Sequence, residues 1–131
     1  MKDKKVVDIG AGKFYIVSWQ PNYYGRFSLG TGILSMFAAD AGADHVYSCE
    51  MAEIAYDCID IIRENNLQNK ITVLKGKAEE QYDKIKDCDI IISEWMGYCL
   101  FYESMLDSVL YARYFNFNFK ICTNDQLNFY A

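Results

Sequence analysis

Four short apolar runs, separated by stretches with helical spacing, limit what this chain can fold into. They are Lys5–Ile9, His45–Cys49, Ile71–Leu74 and Cys88–Ser93. Between them lie Ile33–Ala39, which is apolar nearly all round, and Glu53–Asn66, whose Ile54, Ala55, Cys58, Ile61 and Ile62 form one stripe. Strands that alternate with helices require long crossovers, and these give a parallel sheet with helices on both faces. The strands lack a polar alternation, as expected for strands buried on both sides. The fold class is therefore α/β, with about four parallel strands and flanking helices. Gly42 is placed to end the helix at Ile33–Ala39.

At 131 residues the chain is sized for one domain, and its 52% hydrophobic content supplies a core. No apolar run approaches the ~18 residues a membrane span needs. The charged start, Met1-Lys2-Asp3-Lys4-Lys5, is not followed by the apolar region of a signal peptide. A formal charge of −5 with no basic stripe argues against direct nucleic-acid binding. Five cysteines (Cys49, Cys58, Cys88, Cys99 and Cys122) show no metal-ligand spacing. Their odd number suits a reduced, intracellular protein, cytoplasmic or nuclear. His45 is the single histidine and is read as structural or surface, not as a ligand, so no metal site is expected. Cys49 and Cys99 have no basic neighbour to activate them and are read as inert.

Two stretches break the pattern. Residues 13–29 (KFYIVSWQPNYYGRFSL) and 114–131 (YFNFNFKICTNDQLNFYA) hold 12 of the 21 aromatics and show no convincing period. The first splits a glycine turn. Without it, Val6-Val7-Asp8-Ile9-Gly10-Ala11 joins Gly30-Thr31-Gly32-Ile33, which is strand, Gly-x-Gly-x-Gly, then helix. Glycines let the backbone approach a ligand, and the helix start offers free N–H groups. Glu50 ends the second strand 18 residues past Gly32, where a carboxylate can accept ribose hydroxyls. A dinucleotide fingerprint needs a further glycine three residues on. That glycine is absent both as written (Tyr15) and in the joined reading (Ile33). The form resembles instead the S-adenosylmethionine loop of Rossmann-like methyltransferases.

The last strand runs into Ser93-Glu94-Trp95-Met96-Gly97-Tyr98-Cys99-Leu100-Phe101-Tyr102-Glu103, a loop with a carboxylate at each end, before a helical pattern through Met105, Leu106, Val109 and Leu110. Such a pair at the carboxyl end of a strand could face each other across one small cationic group. With Gly30-Thr31-Gly32-Ile33-Leu34-Ser35-Met36-Phe37 and Ile71-Thr72-Val73-Leu74-Lys75-Gly76-Lys77-Ala78-Glu79-Glu80, this segment resembles the type I protein arginine N-methyltransferases. The resemblance covers about residues 2–12 and 30–113. It implies S-adenosyl-L-methionine as cofactor and methyl transfer to a guanidinium nitrogen of protein arginine, with histones and Arg-Gly-rich segments as typical substrates. It implies Glu94 and Glu103 as the paired glutamates that hold the guanidinium, and Glu50 as the ribose-binding acid. It further implies Glu79 as the partner of the adenine amino group, Gly10, Gly30 and Gly32 as the cofactor loop, and Met105 in the substrate pocket.

The chain departs from the family pattern in three respects. It begins at the first strand, the resemblance stops at Arg113, and residues 13–29 interrupt the cofactor loop. The expected organisation is a partial methyltransferase domain over 1–113, interrupted at 13–29, and a non-family tail over 114–131. The family homodimer's arm is not expected here. Gly12-Lys13-Phe14 and Phe27-Ser28-Leu29-Gly30 can be encoded with splice donor and acceptor signals, and losing the intervening 18 codons keeps the frame. The insert, and by a similar argument the tail, therefore reads as translated intron sequence. A true insertion is the alternative. On either reading this chain is expected to bind the cofactor poorly, and a non-catalytic interaction module is the alternative function.

Overall fold

The computed structural model describes residues 1–10, 31–93, 105–115 and 120–122. Among the described residues, five strands form one sheet: β1 (Lys5–Ile9), β2 (His45–Glu50), β3 (Ile71–Lys75), β4 (Ile90–Ile92) and β5 (Lys120–Cys122), in the order β3-β2-β1-β4-β5. Every pairing is parallel. The helices are α1 (Ile33–Asp40), α2 (Ala55–Glu64), α3 (Tyr82–Ile85) and α4 (Met105–Phe115), with a 3-10 turn at Ala78–Gln81 leading into α3.

The strands bury both faces because successive side chains point to opposite sides. One face carries Val6, Val46, Ile71, Ile90 and Ile92 against Met36, Ala38 and Ala39 of α1 and Cys58 and Ile62 of α2. The other carries Val7, Ile9, Cys49, Leu74 and Ile91 against Ala78, Ile85, Val109 and Ala112. Asp8, Ser48 and Glu50 share parity with Val6 and Val46, so they lie on the α1/α2 face. α1 ends in a glycine stop: Gly42 has φ +89°, its N–H donates to the Ala39 carbonyl, and the Ala43 N–H donates to the Ala38 carbonyl. This pair of bonds satisfies carbonyls that the helix end would otherwise leave unpaired. α1 is less enclosed than its sequence implies, since Phe37 is exposed. His45 is structural, its Nε2 sharing a 2.9 Å hydrogen bond with Thr72 Oγ1 of the next strand.

Three expectations need correction. The fourth strand is shorter than Cys88–Ser93, because the Cys88 N–H turns back to the Ile85 carbonyl. The second helix begins at Ala55 and not Glu53, with the Ala55 N–H bonded to the Ala52 carbonyl in a preceding turn. The segment 114–131 is not without regular structure: α4 runs on to Phe115, and Lys120–Cys122 pairs with Ile90–Ile92 as a fifth strand. Three residues are too few for a period of two to register, so only the neighbouring edge of β4 reveals this strand.

Candidate functional site

The carboxyl ends of the strands gather the candidate residues. Going outward from β1, the chain order reverses between β1 and β4, and ligands of open α/β sheets bind at such a switch. Gly10 leaves β1 with φ +77°, and its N–H donates to the Cys49 carbonyl at 3.0 Å. Ser93 closes the same edge from β4, its Oγ donating to the Ile9 carbonyl at 2.7 Å. The next residue in the chain is Glu94.

Gly32 caps the N-terminus of α1 with φ +76°, a left-handed conformation that L side chains rarely adopt. A Cβ added there would stand 2.5 Å from Cys58 Sγ, so α2 packs directly against the turn. Glu50 ends β2, is 7% exposed, and accepts a 2.6 Å hydrogen bond from the Ala52 N–H at Oε1. Beside it Gly76 follows β3 and donates its N–H to the Glu50 carbonyl at 2.9 Å. The 3-10 turn that follows carries Glu79, whose Oε2 is buried without a hydrogen-bond partner. A buried acceptor without a donor is costly, so this oxygen suits an incoming N–H group.

Gly10, Gly32, Glu50 and Glu79 thus lie at the carboxyl ends of the strands or in the turns that follow them. Gly30, Glu94 and Glu103 lie outside the described residues. Met105 opens α4, with its side chain outside them too. Cys49, Cys58 and Cys88 are free and buried, and burial pushes each thiol up to about 12.

Two residues at this edge escaped the sequence reading. Asp8 is fully buried, accepts a 2.7 Å hydrogen bond from Ser35 Oγ at Oδ2, and leaves Oδ1 unpartnered. Burial pushes its carboxyl up to about 7, against the lowering effect of Ser35, with the nearby Glu50 carboxylate adding to the rise. A charge inside the apolar run Val6–Ile9 was the available signal. The second, Lys75, stands across from Glu50 in the β2/β3 register.

Known proteins similar to this chain share one name. Protein arginine N-methyltransferase 8-B of Danio rerio is 52% identical over 112 residues, covering 86% of this chain and 22% of that protein. Protein arginine N-methyltransferase 1 of Schizosaccharomyces pombe is 46% identical over 112 residues, 86% of this chain and 28% of its own length. Over 86% of its length, the chain is similar to protein arginine N-methyltransferases. It spans about a quarter of the length of these curated relatives. Among solved structures, the Trypanosoma brucei PRMT1 enzyme–prozyme heterotetramer with AdoHcy superposes with a TM-score of 0.66 at 45% identity, over 86% of this chain and 29% of that one. A putative S-adenosyl-L-methionine-dependent methyltransferase of Methanococcus maripaludis, at 16% identity and a TM-score of 0.60 over 94% of this chain and 49% of its own, shares the fold. No protein-family model matches the chain.

Proposed function

We propose that this chain carries part of the S-adenosylmethionine site and of the arginine site of a protein arginine N-methyltransferase. The observation that carries the reading is the convergence of Glu50, Glu79 and the Gly10 and Gly32 turns on one sheet edge, where β4 delivers the chain to Glu94. The residues fit the cofactor: Glu50 suits ribose hydroxyls, the unpartnered Glu79 Oε2 suits the adenine amino group, and the turns admit close backbone approach. When bound, S-adenosylmethionine supplies an electrophilic methyl group.

The paired glutamates, Glu94 and Glu103, are assigned to the arginine substrate. A guanidinium is planar, always charged and matched to carboxylates in bidentate pairs. Carboxylates placed beside two of its nitrogens draw positive charge toward themselves and leave the third nitrogen's electrons available. Glu94 is assigned the main orienting role, and Glu103 clamps the other side. Either carboxylate can accept the proton released afterwards, directly or through water. Holding the nucleophile in line supplies much of such a rate enhancement. The substrates proposed are proteins with exposed arginines, such as histones and Arg-Gly-rich segments, without direct nucleic-acid or membrane contact. A cytoplasmic or nuclear location is proposed on cysteine usage, and homodimerisation on family grounds.

Residues 13–29 favour a second reading for the chain as it stands. They interrupt the cofactor loop between Gly10 and Gly32 with six aromatics and the one proline. We infer that this chain binds S-adenosylmethionine more weakly than micromolar, and that removing residues 12–29 restores binding and methyl transfer to an arginine peptide. Calorimetry with both forms tests this, with Glu94→Gln in the shortened form expected to abolish transfer while leaving cofactor binding. Micromolar binding by the intact chain contradicts the weak-binding inference. A shortened form that binds but transfers nothing favours a non-catalytic interaction module.

A further inference from the structure

We propose that Lys75 is a positioning residue for ribose recognition, acting on Glu50 through a single peptide group. The proposal deepens the reading of Glu50 as the ribose-binding acid and rests on it. Lys75 and Glu50 are partners on the last rung of the β2/β3 pairing, and the Gly76 N–H locks onto the Glu50 carbonyl at 2.9 Å. Past that rung the chain turns through Met51, Ala52 and Glu53 toward α2. Lys75 Nζ donates to the Met51 carbonyl at 2.7 Å, and the Ala52 N–H donates to Glu50 Oε1 at 2.6 Å. The Met51 carbonyl and the Ala52 N–H are the two ends of one planar, rigid unit. The ammonium therefore holds one end of the plane and the carboxylate the other, and rotating the plane breaks both bonds.

The two bonds also reinforce each other. A cation at the carbonyl oxygen polarises the peptide and makes its N–H a better donor, and hydrogen bonds in series strengthen in this way. Both terminal groups are charged, which places these bonds among the stronger ones. Glu50 is 7% exposed, so water does not average its orientation. The device fixes Oε1 by the chain's own backbone and assigns Oε2 to the ribose. Lys75 also pairs with Glu53 Oε1 at 3.0 Å and lies 5.8 Å from the Tyr56 ring centre. The Glu53 side chain is 86% exposed, and an ion pair of that kind is screened by water and holds little. That contact does not account for Lys75, and the peptide clamp does.

Amide hydrogen exchange on the intact, cofactor-free chain reads the clamp directly. In Lys75→Met the Ala52 amide is expected to exchange about tenfold faster, with the β2 amides unchanged, because local opening is set by local bonds. Glu53→Gln is expected to leave Ala52 as in the wild type, and Lys75→Arg to restore most of its protection. NMR titrations, which read weak binding, then compare S-adenosylhomocysteine with its 2′-deoxyribose analogue. Lys75→Met is expected to weaken the ribose compound about five- to tenfold and leave the deoxy compound unmoved, whereas a merely structural role weakens both alike. Unchanged Ala52 exchange overturns the proposal, as does an unchanged preference for ribose in a wild type that shows one. A wild type and a form lacking residues 12–29 that both bind neither compound overturn the cofactor reading itself and the ribose role with it.

Discussion

Replacing Gly32 by alanine is expected to destabilise the chain through two separable terms. The first is conformational: at φ +76° an L residue sits in the left-handed region, at roughly 1–2 kcal/mol. The second is steric: the new Cβ arrives 2.5 Å from Cys58 Sγ, which is fully buried on α2, and forcing extra volume into a packed core costs about 1–3 kcal/mol. The single variant should therefore lose ~2–5 kcal/mol in urea melts. Only the second term depends on the sulfur. In a Cys58→Ala background the methyl enters the space the thiol vacates, and the same substitution should cost ~1–2 kcal/mol, a coupling energy of about 1–3 kcal/mol across the cycle. Ile62 Cδ1 at 3.8 Å and Ser48 Oγ at 3.9 Å are ordinary contacts and should add little. Equal losses in the two backgrounds refute the steric term. No loss in either refutes the left-handed turn itself.

Asp8→Asn should flatten the pH dependence of stability. Burial raises the folded carboxyl to about 7 from 3.8, so the folded state holds a proton that the unfolded chain has released. That contribution is complete below pH ~4 and is lost as pH rises through about 7, roughly three units at ~1.4 kcal/mol each, or about 4 kcal/mol. Wild-type urea midpoints should fall between pH 5 and pH 8 while those of the variant stay level, and parallel curves would refute the assignment. Cys49, Cys58 and Cys88, buried with thiols pushed up to about 12, should resist alkylation at pH 8 until the chain unfolds. Site-resolved mass spectrometry checks this, and rapid native labelling of any of the three would contradict its burial.

Four of the five strands were legible because burial on both faces writes itself as an apolar run, as in Val6-Val7 and Ile90-Ile91-Ile92. β5 was not, since a three-residue edge gets its partner from β4 rather than from its own pattern. In the site, Glu50 and Gly32 could be found from spacing, and Glu79 from resemblance. Lys75 could not be found from sequence, because a lysine at a strand end looks like a solvated residue. Its meaning comes from a turn 24 residues earlier in the chain. Asp8 carried a signal, a carboxylate among valines, but only the fold shows that Ser35 meets it.

The place of β1 in the middle of the sheet also sets the order of assembly during synthesis. Its neighbours are β2 on one side and β4 on the other, with Val6 paired to Ile90. A ribosome adding about 5–20 residues per second takes roughly 4–17 s to move from Val6 to Ile90. Through that interval one edge of an apolar strand waits without its partner, which is when a chaperone has most to hold. Codon changes that slow translation between β2 and β4 should therefore lower soluble yield without altering a single residue of the product.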